Sequence, residues 1–85
     1  MKNIVKHNLQ LLKQIEKLNC IIAQDEQYLY NIETEYEIVT DQYMNGDIKR
    51  PIGKYQDKLM REARKIKQRI DSNRHKLMKL QMKTI

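Results

Sequence analysis

Asp71, Ser72 and His75 are the residues of this chain whose types could support nucleophilic catalysis. Ser72 and His75 are three residues apart, so they share a face if the segment is helical. A nucleophilic triad also needs a base that a third group orients inside a shaped pocket. Neighbouring residues on one exposed helix cannot surround a substrate. The sequence therefore predicts no catalytic residue and a protein that is not an enzyme.

Metal and cofactor chemistry has equally little support in the residue spacing. Three residues of types that bind zinc are scattered along the chain, at His7, Cys20 and His75. They lack the closely spaced ligand pairs that zinc sites require. A possible calcium loop near Asp41 and Asp47 lacks the closing Glu of the 12-residue pattern. We expect no metal, no cofactor and no small-molecule substrate.

The composition indicates a small helical protein. The 85 residues include only two Gly and one Pro, and neither Phe nor Trp. A chain of this size buries a thin core, which favours a core that is completed on a partner. Cys20 is alone, which excludes an intramolecular disulfide and favours a reducing compartment. No apolar run approaches the roughly 20 residues of a membrane span. We expect a soluble, intracellular protein that does not contact a membrane.

Heptad spacing is the strongest structural signal in the sequence. In the first half, steps of four and three residues visit Leu11, Ile15, Leu18, Ile22, Asp25, Leu29, Ile32, Tyr36, Val39 and Tyr43. In the second half, they visit Leu59, Ala63, Ile66, Ile70, Asn73, Leu77 and Leu80. Turn-forming residues at 45–47 and Pro51 separate the two runs. The pattern predicts one all-α hairpin over residues 1–85, with a helix at about 3–44, a turn at 45–51 and a helix at about 52–82.

The charges are sorted along the chain. Residues 21–47 hold seven acids and no base, whereas residues 48–85 hold thirteen bases and three acids. The short connection makes the helices antiparallel neighbours, with residue i facing roughly residue 97 − i. The acidic span 25–41 then lies beside the basic span 54–74. Exposed ion pairs contribute only about 0–1 kcal/mol each, so we interpret the charges as favouring the fold-back over a parallel self-dimer.

Apolar residues outside the predicted seam indicate packing against partner helices. Val5, Leu9 and Leu12 form a second stripe on the first helix, and the register leaves residues 1–14 without an intrachain neighbour. A two-helix hairpin covers only one stripe per helix. The predicted partner interface consists of Leu9, Leu12, Leu18, Ile22, Leu29, Ile32, Tyr36 and Tyr43.

The basic second helix supports an alternative interpretation. Its Lys and Arg residues could contact a phosphate backbone without reading sequence. The predicted contacts are Lys58, Arg61, Arg64, Lys65, Arg69 and Arg74. Two alternatives therefore stay open beside the partner-helix hypothesis: a hairpin that binds nucleic acid or a ribosome, and a self-associating coiled coil.

Residues 9–56 resemble the small coiled-coil accessory subunits of MYST-type histone acetyltransferase complexes, of the Esa-associated factor type. The matching residues are Glu26, Leu29-Tyr30, Glu33, Tyr36, Thr40, Gly46-Asp47-Ile48, Arg50 and Tyr55. The chain departs from the family pattern at Asp47, where Asn is usual, and at Pro51-Ile52-Gly53, where Gly-aromatic-Asp is expected.

The resemblance implies a specific biological role. It implies a non-catalytic, nuclear subunit that joins the helices of partner subunits and ties them to the catalytic acetyltransferase. Such a protein would be a chromatin and transcription regulator that acts through protein–protein contacts. The implied partners are the scaffold subunits of an acetyltransferase complex.

Overall fold

The protein is an antiparallel hairpin of two long helices, as the heptad pattern predicted. The computed structural model describes residues 2–83, with side chains from residue 5 onward. Helix α1 spans Lys2–Met44 and helix α2 spans Gly53–Met82. The molecule measures 68 × 15 × 12 Å. A 43-residue helix is about 65 Å long, so α1 alone sets the length of the rod.

The core is a single seam between the two helices. Its buried cluster comprises Ile22 and Ile32 of α1 with Leu59, Ile66 and Ile70 of α2. Every residue of the two predicted heptad runs is buried or half-buried except Tyr43, which lies at the turn end of the seam. The period of 3.5 residues keeps one stripe of each helix facing the other.

The turn depends on Gly46. Its φ is +82°, in the left-handed region that side chains other than glycine seldom adopt. The Gly46 amide donates to the Tyr43 carbonyl at 3.2 Å, and the Asp47 amide donates to the Gln42 carbonyl at 2.9 Å. This pair of bonds is the Schellman motif, which satisfies the last carbonyls of a helix. The chain can therefore leave α1 sharply and return as α2.

The N-terminal end of α1 and the C-terminal end of α2 lie at different positions along the rod. Asp25 of α1 pairs with Arg69 of α2, three residues from the predicted position. Met82 lies thirteen residues beyond Arg69, and Leu12 lies thirteen residues before Asp25. The last described turn of α2 therefore comes level with residues 11–15, and the preceding part of α1 extends beyond it.

Leu11 corrects one expectation. The predicted register left residues 1–14 without an intrachain neighbour, yet Leu11 is buried, with 6% of its surface exposed. The prediction is wrong at this position because the last turn of α2 extends as far as Leu11. Neither described helix is long and apolar enough to cross a membrane.

Candidate helix-docking surfaces

The predicted partner interface divides between core and surface. Ile22 and Ile32 are buried in the hairpin's own seam, and Leu29 and Tyr36 pack against that cluster. Leu18 is also half-buried. In the closed hairpin Ile22 therefore cannot contact a partner, because α2 already covers it, whereas Ile32 keeps a small exposed edge in the groove described below. The sequence pattern could not separate the two roles, since core and docking positions follow the same spacing.

Leu9, Leu12 and Tyr43 are the predicted interface residues that remain exposed. Leu9 and Leu12 lie with Val5 on successive turns of α1. Between 48% and 58% of the surface of each of these residues is exposed to solvent. We call Val5, Leu9 and Leu12 the N-terminal apolar stripe. It lies on the part of α1 that extends to and past the last described turn of α2.

A groove opens along one side of the seam. It has a volume of about 480 Å³ and is lined by Ile32, Glu33, Tyr36, Glu37, Leu59, Met60, Ala63, Arg64 and Lys67. We call it the seam groove. Ala63 is the smallest residue of either heptad run, and its short side chain leaves this space beside the larger residues of the seam. The heptad pattern predicted Ala63 only as a seam residue, although a small residue in a seam of Leu and Ile is the signal for a hollow.

The walls of the seam groove carry opposite charges. Glu33 and Glu37 line the α1 side, whereas Arg64 and Lys67 line the α2 side. All four residues are exposed, and none of them has an ion-pair partner within the described residues. The floor between the walls is apolar. An amphipathic helix could bury an apolar stripe on this floor and place charged flanks against both walls.

Asp25 forms the best-defined polar contact between the helices. It is buried at a heptad position, and Arg69 donates to its two oxygens, from Nε at 2.8 Å and from Nη2 at 2.7 Å. These hydrogen bonds lower the pKa of Asp25, and the positive charge of Arg69 adds to the effect, while burial opposes it. The same contact raises the pKa of Arg69. A two-pronged Arg–carboxylate contact of this kind fixes geometry as well as charge.

Only part of the predicted charge neutralisation occurs. Within residues 2–83 the ion pairs across the seam are Asp25–Arg69 and Glu26–Arg74. The other acidic and basic side chains of the two spans form no ion pair across the seam within the described residues. Polar contacts nearer the turn are hydrogen bonds from uncharged donors rather than ion pairs. Tyr55 donates to Glu35 at 3.0 Å, and Gln56 donates to Thr40 at 2.9 Å.

The hydrogen bond from Tyr55 to Glu35 raises the pKa of the Tyr55 phenol, with partial desolvation as a smaller cause. The phenol must keep its proton in order to donate to the carboxylate. Sequence reasoning matched Tyr55 to a family motif but did not identify this contact. Tyr55 lies beside the core rather than in it, and its side chain crosses the seam to Glu35. Helix spacing alone does not predict a contact of this kind.

The predicted nucleic-acid contacts are all exposed, but they are not equivalent. Arg69 and Arg74 form the two ion pairs across the seam. The remaining four have no ion-pair partner among the described residues: Lys58, Arg61, Arg64 and Lys65. Lys58 and Lys65 are seven residues apart and do not line the seam groove, so they form part of an outward-facing basic stripe.

The residues considered for catalysis and metal binding do not line the seam groove. Asp71, Ser72 and His75 are exposed on α2, and none of them lines the seam groove. Cys20 is a free, exposed thiol. Within the described part of the chain, no three His, Cys, Asp or Glu side chains come close enough to hold a metal ion.

The chain matches no family model, no curated protein and no solved structure.

Proposed function

We propose that this protein is a non-catalytic architectural subunit that joins helices of partner subunits through the N-terminal apolar stripe. The observation that carries the proposal is the exposure of Val5, Leu9 and Leu12 on consecutive turns of one helix. Apolar side chains at this spacing form the anchors of helix-in-groove and helix-on-helix recognition. A hairpin of two helices leaves such a stripe in water unless another helix covers it.

The sequence resemblance indicates the kind of complex that the protein would join. On that resemblance, the assembly is a MYST-type histone acetyltransferase complex, and the protein acts in the nucleus as a chromatin regulator. The resemblance covers residues 9–56, and its matching residues run from Glu26 through the turn to Tyr55. In this role the protein has no reaction of its own, and the rigid rod of α1 and α2 sets the separation of the subunits that it joins.

The test is purification of the tagged, full-length chain from its native cell at high salt. We expect helical scaffold subunits, the acetyltransferase and histone-binding subunits to co-purify. The variant Leu9→Lys/Leu12→Lys should lose them, because two charges replace the apolar anchors. The matched control is Ile38→Lys/Met44→Lys, which makes the same changes at exposed apolar positions of the same helix. It should retain the partners.

The outcomes separate the two levels of the proposal. Recovery of other helical subunits without any acetyltransferase would overturn the chromatin role and keep the architectural one. Equal loss of partners in both double variants, or no co-purifying protein at all, would overturn the architectural role. Circular dichroism of each variant checks that the hairpin still forms.

Nucleic-acid binding is a second candidate, supported by four basic residues that the acidic helix does not pair. Lys58, Arg61, Arg64 and Lys65 each present a charge to solvent on α2. If all four contact phosphates of duplex DNA, the logarithm of affinity should fall with the logarithm of salt concentration with a slope of about −3 to −4. A flat salt response in a titration of the purified chain would exclude this candidate.

Matched variants localise any such binding. Lys58→Gln/Lys65→Gln should reduce the salt slope by about 2. Lys6→Gln/Lys13→Gln removes two exposed charges from α1 and should leave the slope unchanged. Equal reductions in the two variants would indicate a general attraction by net charge rather than a binding surface on α2.

A further inference from the structure

We infer that the seam groove binds a second copy of this chain, so that two hairpins form a four-helix bundle in which α1 of each copy packs on α2 of the other. The inference concerns a different surface from the N-terminal apolar stripe and goes beyond the proposed function. It starts from the acidic α1 wall and the basic α2 wall of the groove, neither of which is paired within the described chain.

The chain itself provides the surface that complements the groove. An occupant must place basic side chains against Glu33 and Glu37, and acidic side chains against Arg64 and Lys67. The groove face of a second hairpin has both features, because its α2 wall is basic and its α1 wall is acidic. Identical surfaces that complement themselves about a twofold axis are the usual basis of homodimers.

The charge pattern also selects the direction of the twofold axis. If the axis runs along the rod, α1 of each copy lies on α2 of the other at the same height, and acidic walls meet basic walls. If the axis runs across the rod, α1 lies on α1 and α2 on α2, so like charges meet. Like charges in contact across an interface are strongly unfavourable. The charge pattern therefore favours the arrangement whose twofold axis runs along the rod.

Exposed apolar side chains lie at the edges of the same face. Met60 lines the groove and is half exposed. Tyr30 lies three residues before Glu33 and seven before Glu37, so it shares their side of α1, and it is more exposed than Met60. A helix of the second copy would cover both side chains together with the floor at Ile32 and Ala63. These contacts remove apolar surface from water, which the charges alone do not.

The available area is sufficient for a stable dimer. Helix α2 is about 45 Å long, and the rod is 15 Å across. A face of that size covers about 700 Å² per copy, or about 1,400 Å² in total, within the range of specific protein–protein interfaces. In this arrangement the two N-terminal apolar stripes extend from the same end of the bundle.

Sedimentation equilibrium of the purified full-length chain provides the first test. We expect a concentration-dependent mass that approaches twice the 10.3 kDa of one chain. Two charge-reversal variants then probe the walls: Glu33→Lys/Glu37→Lys makes both walls basic, and Arg64→Glu/Lys67→Glu makes both walls acidic. Each variant alone should dimerise at least about 10-fold more weakly than the wild type.

Mixing the two variants is the decisive measurement. The all-basic and all-acidic hairpins should form a heterodimer with an affinity close to that of the wild-type dimer, because each wall again meets its opposite. The control Lys58→Glu/Lys65→Glu makes the same type of change on α2 outside the groove, and it should dimerise like the wild type. All the substituted residues are exposed, so helicity should persist in each variant.

A further variant tests the groove without changing any charge. Ala63→Leu fills the hollow and should weaken dimerisation at least about 10-fold. A monomeric wild-type chain at about 100 µM would overturn the inference, since standard-sized interfaces are usually tighter. So would charge-reversed variants that each dimerise like the wild type, or a mixture that forms no heterodimer. None of these outcomes bears on co-purification through the N-terminal apolar stripe.

Discussion

Two neighbouring stretches of the same seam differ in how they are closed. In the stretch around Asp25 and Glu26, arginines of α2 on either side of buried Ile70 form ion pairs across the seam. One heptad further along α1, Glu33 and Lys67 occupy the positions equivalent to Glu26 and Arg74, yet they form no ion pair with each other in the described structure. We call the stretch around Asp25 and Glu26 the closed stretch, and the stretch around Glu33 and Lys67 the open stretch.

The difference has two physical causes. An arginine carries a planar fork that matches a carboxylate, whereas the lysine ammonium is compact and strongly hydrated. Beneath the closed stretch the seam contains Ile70, whereas the open stretch contains the much smaller Ala63. The comparison shows that sorted charges alone do not close a helix pair. Arg64 also lines the open stretch and forms no ion pair in the described structure, so the packing beneath the charges matters as well as the type of cation.

The largest expected effect comes from removing core packing in the closed stretch. Ile70→Ala deletes a side chain that is only 4% exposed and leaves a cavity between the helices. We expect the free energy of unfolding to fall by about 2–4 kcal/mol, measured by denaturant unfolding at one fixed protein concentration. The control Met78→Ala, on the exposed side of α2, should change it by less than about 0.5 kcal/mol. Equal losses would contradict the assignment of the core.

The next largest effect concerns the charge on Asp25. Its folded pKa is lowered by Arg69, so the charged form is favoured in the hairpin and the stabilisation is fully present above the unfolded pKa of about 4. Stability should fall as pH decreases through that value towards the lowered folded pKa. We expect Asp25→Asn to lower Tm by about 5 °C at neutral pH.

The same variant should also flatten the acid side of the Tm–pH profile, because the titrating group is gone. Thermal unfolding followed by circular dichroism between pH 7 and pH 2 measures both effects. Glu26→Gln, in the more exposed ion pair next to it, is the matched control and should produce a smaller loss at neutral pH. A profile of Asp25→Asn as steep as that of the wild type would contradict the assignment.

A smaller effect is expected from filling the open stretch. Ala63→Leu adds apolar atoms beside Tyr36 and Leu59 and should raise the free energy of unfolding of the single hairpin by about 1 kcal/mol. The measurement is denaturant unfolding at a protein concentration where the chain is monomeric. Ala23→Leu places the same side chain at an exposed position of α1 and should be close to neutral. Destabilisation by Ala63→Leu would show that the seam there cannot accept a larger residue.

The smallest effect is at the turn end of the open stretch, where Tyr55 donates to Glu35. The pKa of Tyr55 is raised, so this contribution to stability is present below the ordinary tyrosine pKa of about 10 and is lost as pH rises through the raised value. An ultraviolet titration of the five tyrosines should show one component that ionises late. Tyr55→Phe should remove that component, and Tyr30→Phe should leave it unchanged.

Sequence reasoning recovered the fold because helix periodicity and turn chemistry are local properties. The heptad run from Leu11 to Val39 identified residues that are buried or half-buried, and Asn45-Gly46-Asp47 marked the turn that Gly46 makes through its positive φ. The candidate docking surface was recovered only in part. Ile22 and Leu9 are both apolar residues at helical spacing, and their pattern cannot say which one α2 covers.

The sequence by itself determined two antiparallel helices, their turn, their seam and the sorting of charge between them. Each of these follows from the side-chain period and from residues within a few positions of one another. Only the tertiary structure decided which ions pair, that Leu11 is covered, and that Ala63 leaves a groove with an acidic and a basic wall. Those features depend on the relative height of the two helices and on side-chain volume across the seam, neither of which a single helix encodes.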